Sequence, residues 1–306
     1  TLRVMADDRL LTSHAQSTTP RQSHAHPTRR KHHAGLTMCG IAGILGGPDN
    51  IAAIHAMTAG LRHRGPDGEG YFLDSTRALK LGHRRLAITD PSPEATQPMT
   101  SQDGRWTICY NGEIFNYAEL RRDIAVVLRT ASDTEVLLEA IAQWGVDRAL
   151  PQVNGMFAVA LWDSERKELT LARDRFGEKP LVYYWDGKTL AFASELKALA
   201  KFHSSQLNPE AVRGYTELGY IPAPLAIFRS CHKLPPGHLL RFRDGVHVER
   251  WFHPEDGQPS SGTLPAQVQR ATSLRLAPNA ALALSGGVDS SVLAWELRES
   301  GIPAIS

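Results

Sequence analysis

The residues best placed to do chemistry lie in Met38-Cys39-Gly40-Ile41-Ala42-Gly43-Ile44. A cysteine that directly follows a methionine becomes N-terminal once that methionine is removed. It then carries a thiol and a free α-amine on one residue. The thiol is a nucleophile only when deprotonated, and an α-amine, with a pKa of roughly 7.7–8.0, is partly neutral at pH 7 and can take the proton. One residue then supplies both nucleophile and base. The competing reading of Cys39 is a buried, inert cysteine at a strand start, since free cysteine is among the most buried residue types. Any residue retained before Cys39 turns its amine into an amide and removes the base.

A second stretch, Ser285-Gly286-Gly287-Val288-Asp289-Ser290-Ser291, follows the apolar run Ala280–Leu284 and opens a helix expected over Val288–Glu299. A strand, a Gly-Gly loop and a helix N-terminus make an anion site: loop amides point into the turn, glycine admits a phosphate closely, and the helix dipole favours negative charge. Ser285, Ser290 and Ser291 add hydroxyl donors. No Gly-Lys-Ser/Thr is present, so this is not a Walker A loop, and no further spaced glycines make a dinucleotide fingerprint. A third stretch, Asn111-Gly112-Glu113, follows the strand-like Thr107–Tyr110. On its own it reads as a hairpin turn, for which Asn-Gly is the strongest short signal.

These stretches need elements to hold them. Apolar residues at Ile51, Ile54, Met57 and Leu61 predict a helix. Strands are expected at Gly70–Leu73, Leu79–Leu86, Met156–Trp162, Glu168–Arg173, Leu181–Trp185 and Leu190–Ala193, with a Gly/Pro turn at 63–68. Helices are expected at Tyr117–Leu128 and Asp133–Trp144, the latter with Ser132 as N-cap and Glu135 as its capping-box partner. Many strands with few helices suggest antiparallel sheets with helices outside. Residues 203–262 read as a Pro- and Gly-punctuated connector, polar at 256–262. Beyond it, a helix over Leu264–Leu276, the strand and loop above, and a strand at Ile302–Ile305 begin a βαβ unit, hence a parallel sheet.

The 306 residues are 42% hydrophobic and 22% charged, an ordinary globular composition long enough for about two domains. The net charge is +2, but residues 1–37 hold six basic and two acidic side chains, so the remainder carries −2. The body therefore makes no electrostatic case for nucleic acid or an anionic membrane. Residues 1–37, rich in Ser, Thr, His, Arg and Pro, are expected to be a disordered tail or read-through upstream of a start at Met38. Their histidines read as a solvated tail rather than a metal site. Cys39, Cys109 and Cys231 have neither disulfide-framework nor metal-ligand spacing, which points to a reducing compartment and no metal. No apolar run approaches the roughly 20 residues that span a bilayer. Arg29-Arg30-Lys31 before Ala34–Gly47 faintly resembles a twin-arginine export signal, but Gly40, Gly43, Gly46 and Gly47 weaken its apolar core. The expected location is cytoplasmic.

Taken together, the stretches carry a family resemblance. Ser285–Ser291 after its apolar strand resembles the pyrophosphate loop of ATP pyrophosphatases. Met38-Cys39-Gly40-Ile41 resembles the start of a class II, N-terminal-nucleophile glutamine amidotransferase. Arg64-Gly65-Pro66-Asp67, Arg85-Leu86-Ala87-Ile88, Asn111-Gly112-Glu113, Ser132-Asp133-Thr134-Glu135 and Arg175-Phe176-Gly177-Glu178-Lys179-Pro180-Leu181 match that family in order. The two modules in this order resemble glutamine-hydrolysing asparagine synthetases, from Met38 to the end of the chain.

The resemblance implies a fold that is α+β and then α/β: an αββα sandwich of two antiparallel sheets, followed by the start of a parallel-sheet ATP-pyrophosphatase domain. The implied division is a glutaminase domain over 39–200, a connector over 201–262 and the beginning of a synthetase domain over 263–306. Cys39 would attack the side-chain amide of glutamine, with the Asn111 side chain and the Gly112 amide holding the oxyanion. Arg85 would hold the glutamine α-carboxylate and Asp133 its α-ammonium, Glu113 would assist, and Leu86, Ala87, Ile88 and Thr89 would line the pocket. Leu284, Ser285, Gly286, Gly287, Val288, Asp289, Ser290 and Ser291 would bind the nucleotide. Glutamine, aspartate, ATP and Mg2+ are the implied substrates and cofactors, with ammonia displacing AMP from an aspartyl-AMP intermediate, and a homodimer is among the expectations. The family's later motifs are absent from the 306 residues, so the chain is expected to be part of a longer synthetase. Two alternatives stay open: an amidotransferase with a different carboxylate acceptor, and an inactive fragment with Cys39 blocked.

Overall fold

The computed structural model describes residues 2–4, 38–47, 51–88, 90–202, 206–256, 262–276 and 280–305. They divide into two compact units, one within Leu36–Gln258, the other holding Pro259–Ser306 together with the N-terminal strand β1 (Leu2–Val4).

In the first unit, alternating apolar runs pair into two six-stranded antiparallel sheets. Its strands are β2 (Gly40–Gly46), β3 (Gly68–Asp74), β4 (Leu79–Arg85), β5 (Met99–Thr100), β6 (Trp106–Ile114), β7 (Gly155–Asp163), β8 (Glu168–Arg173), β9 (Val182–Trp185), β10 (Thr189–Ala193), β11 (Cys231–Lys233), β12 (His238–Phe242) and β13 (Val246–Arg250). One sheet runs β11-β9-β10-β2-β4-β3 and the other β13-β12-β8-β7-β6-β5. Successive side chains on a strand point to opposite faces, and the core follows that rule. Ile41, Leu45, Cys109, Leu190 and Phe192 pack between the sheets. Ala42, Ile44 and Ala191 face outward beneath helix α1 (Ile51–Gly60). Ile108 and Tyr110 face the opposite outer layer, beneath the long helix α3 (Asp133–Trp144). The result is the expected αββα sandwich.

Several expectations change. Asn111-Gly112-Glu113 makes no hairpin: β6 runs through to Ile114 in register with β7, Asn111 opposite Ala158. The helix expected over Tyr117–Leu128 is only α2 (Tyr117–Leu120) and a 3-10 turn at Arg121–Asp123. There α3 intervenes: Gln143 donates to the Asp123 carbonyl and accepts from the Ala125 amide, and Ile124 and Leu128 turn into the α3 core. Ser132 does cap α3, accepting from the Glu135 amide at 3.3 Å. Glu135 does not return the bond, because its buried carboxylate is taken by the Arg129 and Thr130 amides, the Arg129 guanidinium and the Thr130 hydroxyl. Residues 206–256, read as connector, hold α5 (Pro209–Leu218) and strands β11, β12 and β13, which extend both sheets. Short, Pro-interrupted strands carry too little pattern of their own to be read without their partners.

In the second unit, α6 (Leu264–Ser273), β14 (Ala280–Ala283), α7 (Val288–Leu297) and β15 (Ala304–Ile305) follow the expected order, and β14 pairs parallel with β15. β1 adds antiparallel to β14, so Leu2–Val4 are a strand where the sequence reads as a disordered tail. The rest of that tail, residues 5–37, lies outside the described residues.

α3 is followed by α4 (Val146–Ala149), and Ser132 is the cap that positions the first turn of α3. Ser132→Ala is expected to cost about 1 kcal/mol of stability, read as a lower denaturant midpoint with an unchanged slope.

Candidate active site

Cys39 enters β2 from the edge of the inter-sheet layer. Its Sγ lies 3.4 Å from the Leu86 amide and 3.7 Å from the Leu86 carbonyl, just past the end of neighbouring β4. Arg64 reaches the Cys39 carbonyl with Nε at 3.0 Å and is itself held by Glu195 at 3.0 Å. Burial pushes the thiol up, and the Asp133 carboxylate adds to this; the Leu86 amide, Arg85 and Arg64 oppose it. A thiol in this setting stays protonated at neutral pH and needs a base to become a nucleophile.

Asn111 shares the parity of Cys109 on β6, so it faces the inter-sheet layer, where β6 packs on β2. It is 1% exposed, and neither its amide nitrogen nor its amide oxygen has a hydrogen-bond partner. Such a buried group is costly unless a ligand completes it. Gly112, next on the strand, has no room for a side chain: a Cβ there would strike the Met156 carbonyl oxygen.

Asp133 stands at the first turn of α3 and is 6% exposed. Tyr110 donates to its Oδ2 at 2.8 Å and the Ile114 amide at 3.0 Å. Burial raises its pKa against these hydrogen bonds. Among the described residues no Lys, Arg or His forms an ion pair with it. Arg85, at the end of β4, donates to the Ser92 carbonyl at 2.8 Å and to the Asp90 carbonyl. Asp90 in turn accepts from the Ala131 amide at 2.9 Å, tying the Arg85 loop to the segment before α3.

Of the remaining expected pocket residues, Ala87 donates its amide to Asp67 at 3.0 Å. Ile88 is 67% exposed, so its side chain forms no buried apolar wall. Glu113 is exposed on β6 and acts electrostatically on Lys179. Thr89 lies outside the described residues. The structure thus brings Cys39, Leu86, Arg85, Asn111 and Asp133 to one end of the sandwich. It also adds residues to which the motifs assigned no role: Arg64 on the Cys39 carbonyl, and buried Lys179, whose Nζ lies 2.8 Å from the Met38 sulfur. Both sit inside matched motifs, which is the one signal that marks them.

A nucleophile, an unpartnered amide, an unpaired carboxylate and an arginine are the complement of an amino acid bearing a side-chain amide. Residues 38–252 match the family model described as "Glutamine amidotransferase domain". The chain belongs to this glutamine amidotransferase family. Asparagine synthetase [glutamine-hydrolyzing] 3 of Bacillus subtilis is 32% identical over 278 residues, covering 84% of this chain and 44% of that protein. Asparagine synthetase [glutamine-hydrolyzing] 3 of Arabidopsis thaliana is 33% identical over 276 residues, covering 84% and 42%. The chain spans less than half the length of these two relatives. The solved glutamine phosphoribosylpyrophosphate amidotransferase of B. subtilis shares 20% identity at a TM-score of 0.54, covering 87% of this chain and 65% of that one. That likeness is one of fold.

In the second unit, Leu284 is held by the Ile305 carbonyl at 2.7 Å. The Ser285 and Ser290 hydroxyls meet at 3.1 Å, and Ser290 and Ser291 donate to the Gly287 carbonyl at 3.0 and 2.9 Å. Gly286 has φ +78°, with open space where a Cβ would stand. Residues 285–287, ahead of α7, and Val288 and Asp289 in its first turn are exposed. This open cradle at a helix N-terminus fits a pyrophosphate group. Among the described residues no group of three His, Cys, Asp or Glu could hold a metal, so the loop's one carboxylate, Asp289, is its candidate for a phosphate-bound cation.

Also among the described residues, no helix is long and apolar enough to cross a membrane. The amidotransferase unit does carry a pH-sensitive core group. His83 on β4 is fully buried, and burial lowers its pKa from 6.5 to about 4. The folded state therefore binds fewer protons than the unfolded one between those values. Stability is full above pH 6.5 and declines as pH falls towards 4, by about 3 kcal/mol in all. Urea midpoints measured from pH 7 to 4.5 should fall, and His83→Asn should flatten that fall.

Proposed function

We propose that this chain hydrolyses glutamine at Cys39 and supplies the ammonia to an ATP-dependent synthesis of asparagine. The observation that carries the first half is Asn111: a buried side-chain amide, both polar atoms unpartnered, on the strand that faces the thiol. With Cys39 at the N-terminus, its α-amine takes the thiol proton and Sγ attacks the glutamine amide carbon. The oxyanion accepts hydrogen bonds from Asn111 Nδ2 and the Gly112 amide. The tetrahedral centre collapses as the protonated α-amine returns its proton to the leaving nitrogen, releasing ammonia. Water then cleaves the thioester to glutamate and restores the thiol. Asp133 takes the substrate's α-ammonium, Arg85 its α-carboxylate, and Leu86 to Thr89 line the rim with Glu113 beside it.

The second half rests on the names of the relatives and on the Ser-Gly-Gly loop. Residues 284–291 would hold the pyrophosphate of ATP, Asp289 would help to hold Mg2+, which would neutralise phosphate charge, and aspartate would be the acceptor. Three unpaired cysteines suit a reducing cytoplasm.

The test is a protein begun at Met38, its N-terminal residue read by intact mass and its ammonia release measured with glutamine. N-terminal Cys39 with release supports the reading; N-terminal Cys39 without release sinks it. Cys39→Ala should abolish release, and Asn111→Ala should lower kcat roughly 100- to 1,000-fold. Undiminished release from either variant would move the chemistry elsewhere.

A further inference from the structure

Tyr110 sits between the two ends of the proposed pocket, and every polar group it has is engaged. Its side chain faces the α3 layer and is 2% exposed, with the hydroxyl on Asp133 Oδ2 at 2.8 Å. Its amide donates to Gln97 Oε1 at 2.6 Å, and its carbonyl lies 3.1 Å from His83 Nε2. A carbonyl only accepts, so His83 carries its proton on Nε2, and Nδ1 is the ring atom left without a partner. Gln97 then donates from Nε2 to the Thr134 hydroxyl at 3.2 Å, one residue beyond Asp133.

The reason for these bonds is a missing strand. β5 pairs with β6 only at Met99–Ile108 and Thr100–Thr107. Tyr110 lies past the end of β5, so on that side its backbone has no strand partner. The side chains of Gln97 and His83 take the place of the ladder, and buried backbone groups require such partners. They pin the residue directly before Asn111.

We propose that Tyr110 is a positioning residue that sets the affinity of Asp133 for an α-ammonium group, and so makes the site select α-amino acids over amides lacking that group. This rests on the assignment of Asp133 to the glutamine ammonium. The Tyr110 hydroxyl stabilises the ionised carboxylate, against a burial that raises its pKa, and holds Oδ2 in place. A hydrogen bond to a charged group carries enough energy for such selection.

The experiment compares glutamine with 4-carbamoylbutanoate, the same amide without the α-amine, in the Cys39-terminated protein. Tyr110→Phe should raise KM for glutamine on the order of tenfold with kcat nearly unchanged, and leave kcat/KM for 4-carbamoylbutanoate as it was. Gln97→Met, which frees the Tyr110 backbone but keeps its hydroxyl, should shift glutamine KM in the same direction and stands in if Tyr110→Phe does not fold. Asp133→Asn should erase the preference for glutamine. Equal losses on both substrates in the Tyr110 and Gln97 variants would make Tyr110 merely structural and overturn the inference. The same holds if Asp133→Asn erases the preference while Tyr110→Phe leaves it intact. A preference that survives Asp133→Asn, or no glutamine hydrolysis at all, would overturn the ammonium assignment and this inference with it.

Discussion

The alternation of side chains along β6 is the constraint on which the site depends. A strand presents neighbours to opposite faces, and β6 is the strand that separates the inter-sheet layer from the α3 layer. Asn111 therefore falls on the side of the thiol, and Tyr110 on the side of Asp133. A slip of one residue would exchange them and bury the polar groups against the wrong layer. The nine-residue pairing with β7, from Trp106–Asp163 to Ile114–Gly155, prevents that slip. Gly112 keeps the strands close where a side chain would force them apart.

Around this strand the site is short of internal partners. The Asn111 amide is orphaned, the Asp133 carboxylate has no ion-pair partner among the described residues, and burial keeps the thiol protonated. The first two carry a desolvation cost that a ligand with an amide at one end and an ammonium at the other would relieve. The surrounding frame, in contrast, is densely hydrogen-bonded, with Arg64 Nη2 and His83 Nδ1 among the few buried atoms left over. Arg64 bridges Cys39 and Glu195, whose pKa three basic neighbours, led by Arg64, bring down to about 2. Asp174 gathers the amides of Phe157, Phe176, Glu178 and Lys179 and so shapes the loop that carries Lys179. Rigid support around unsatisfied groups is the arrangement that preorganised catalysis requires.

The second unit applies a simpler rule. Its serines close on the Gly287 carbonyl and on one another, which fixes the loop while Gly286 leaves its concave side open. The parallel pairing of β14 with β15 across α7 sets that loop at the carboxyl end of a strand, where ligands of open α/β sheets bind.

Much of this was legible in the residues. The apolar alternation marked most strands of both sheets, the cap at Ser132 marked the start of α3, and the ordered motifs located Cys39, Arg85, Asn111 and Asp133. These are local signals, written in periodicity and turn chemistry. The continuation of β6 through Asn-Gly was not legible, because local turn preference is overridden by nine paired residues on β7. Nor was the place of β11, β12 and β13 in the sheets, since short strands acquire identity only from their neighbours. The bonds of Gln97 and His83 to Tyr110 were hidden for the same reason: they replace a ladder that ends with β5, and where a ladder ends is decided by strands far apart in the chain. Sequence alone determined which residues are the candidates for the chemistry; tertiary structure decided which buried groups were left without partners, because that depends on what folding brings beside them.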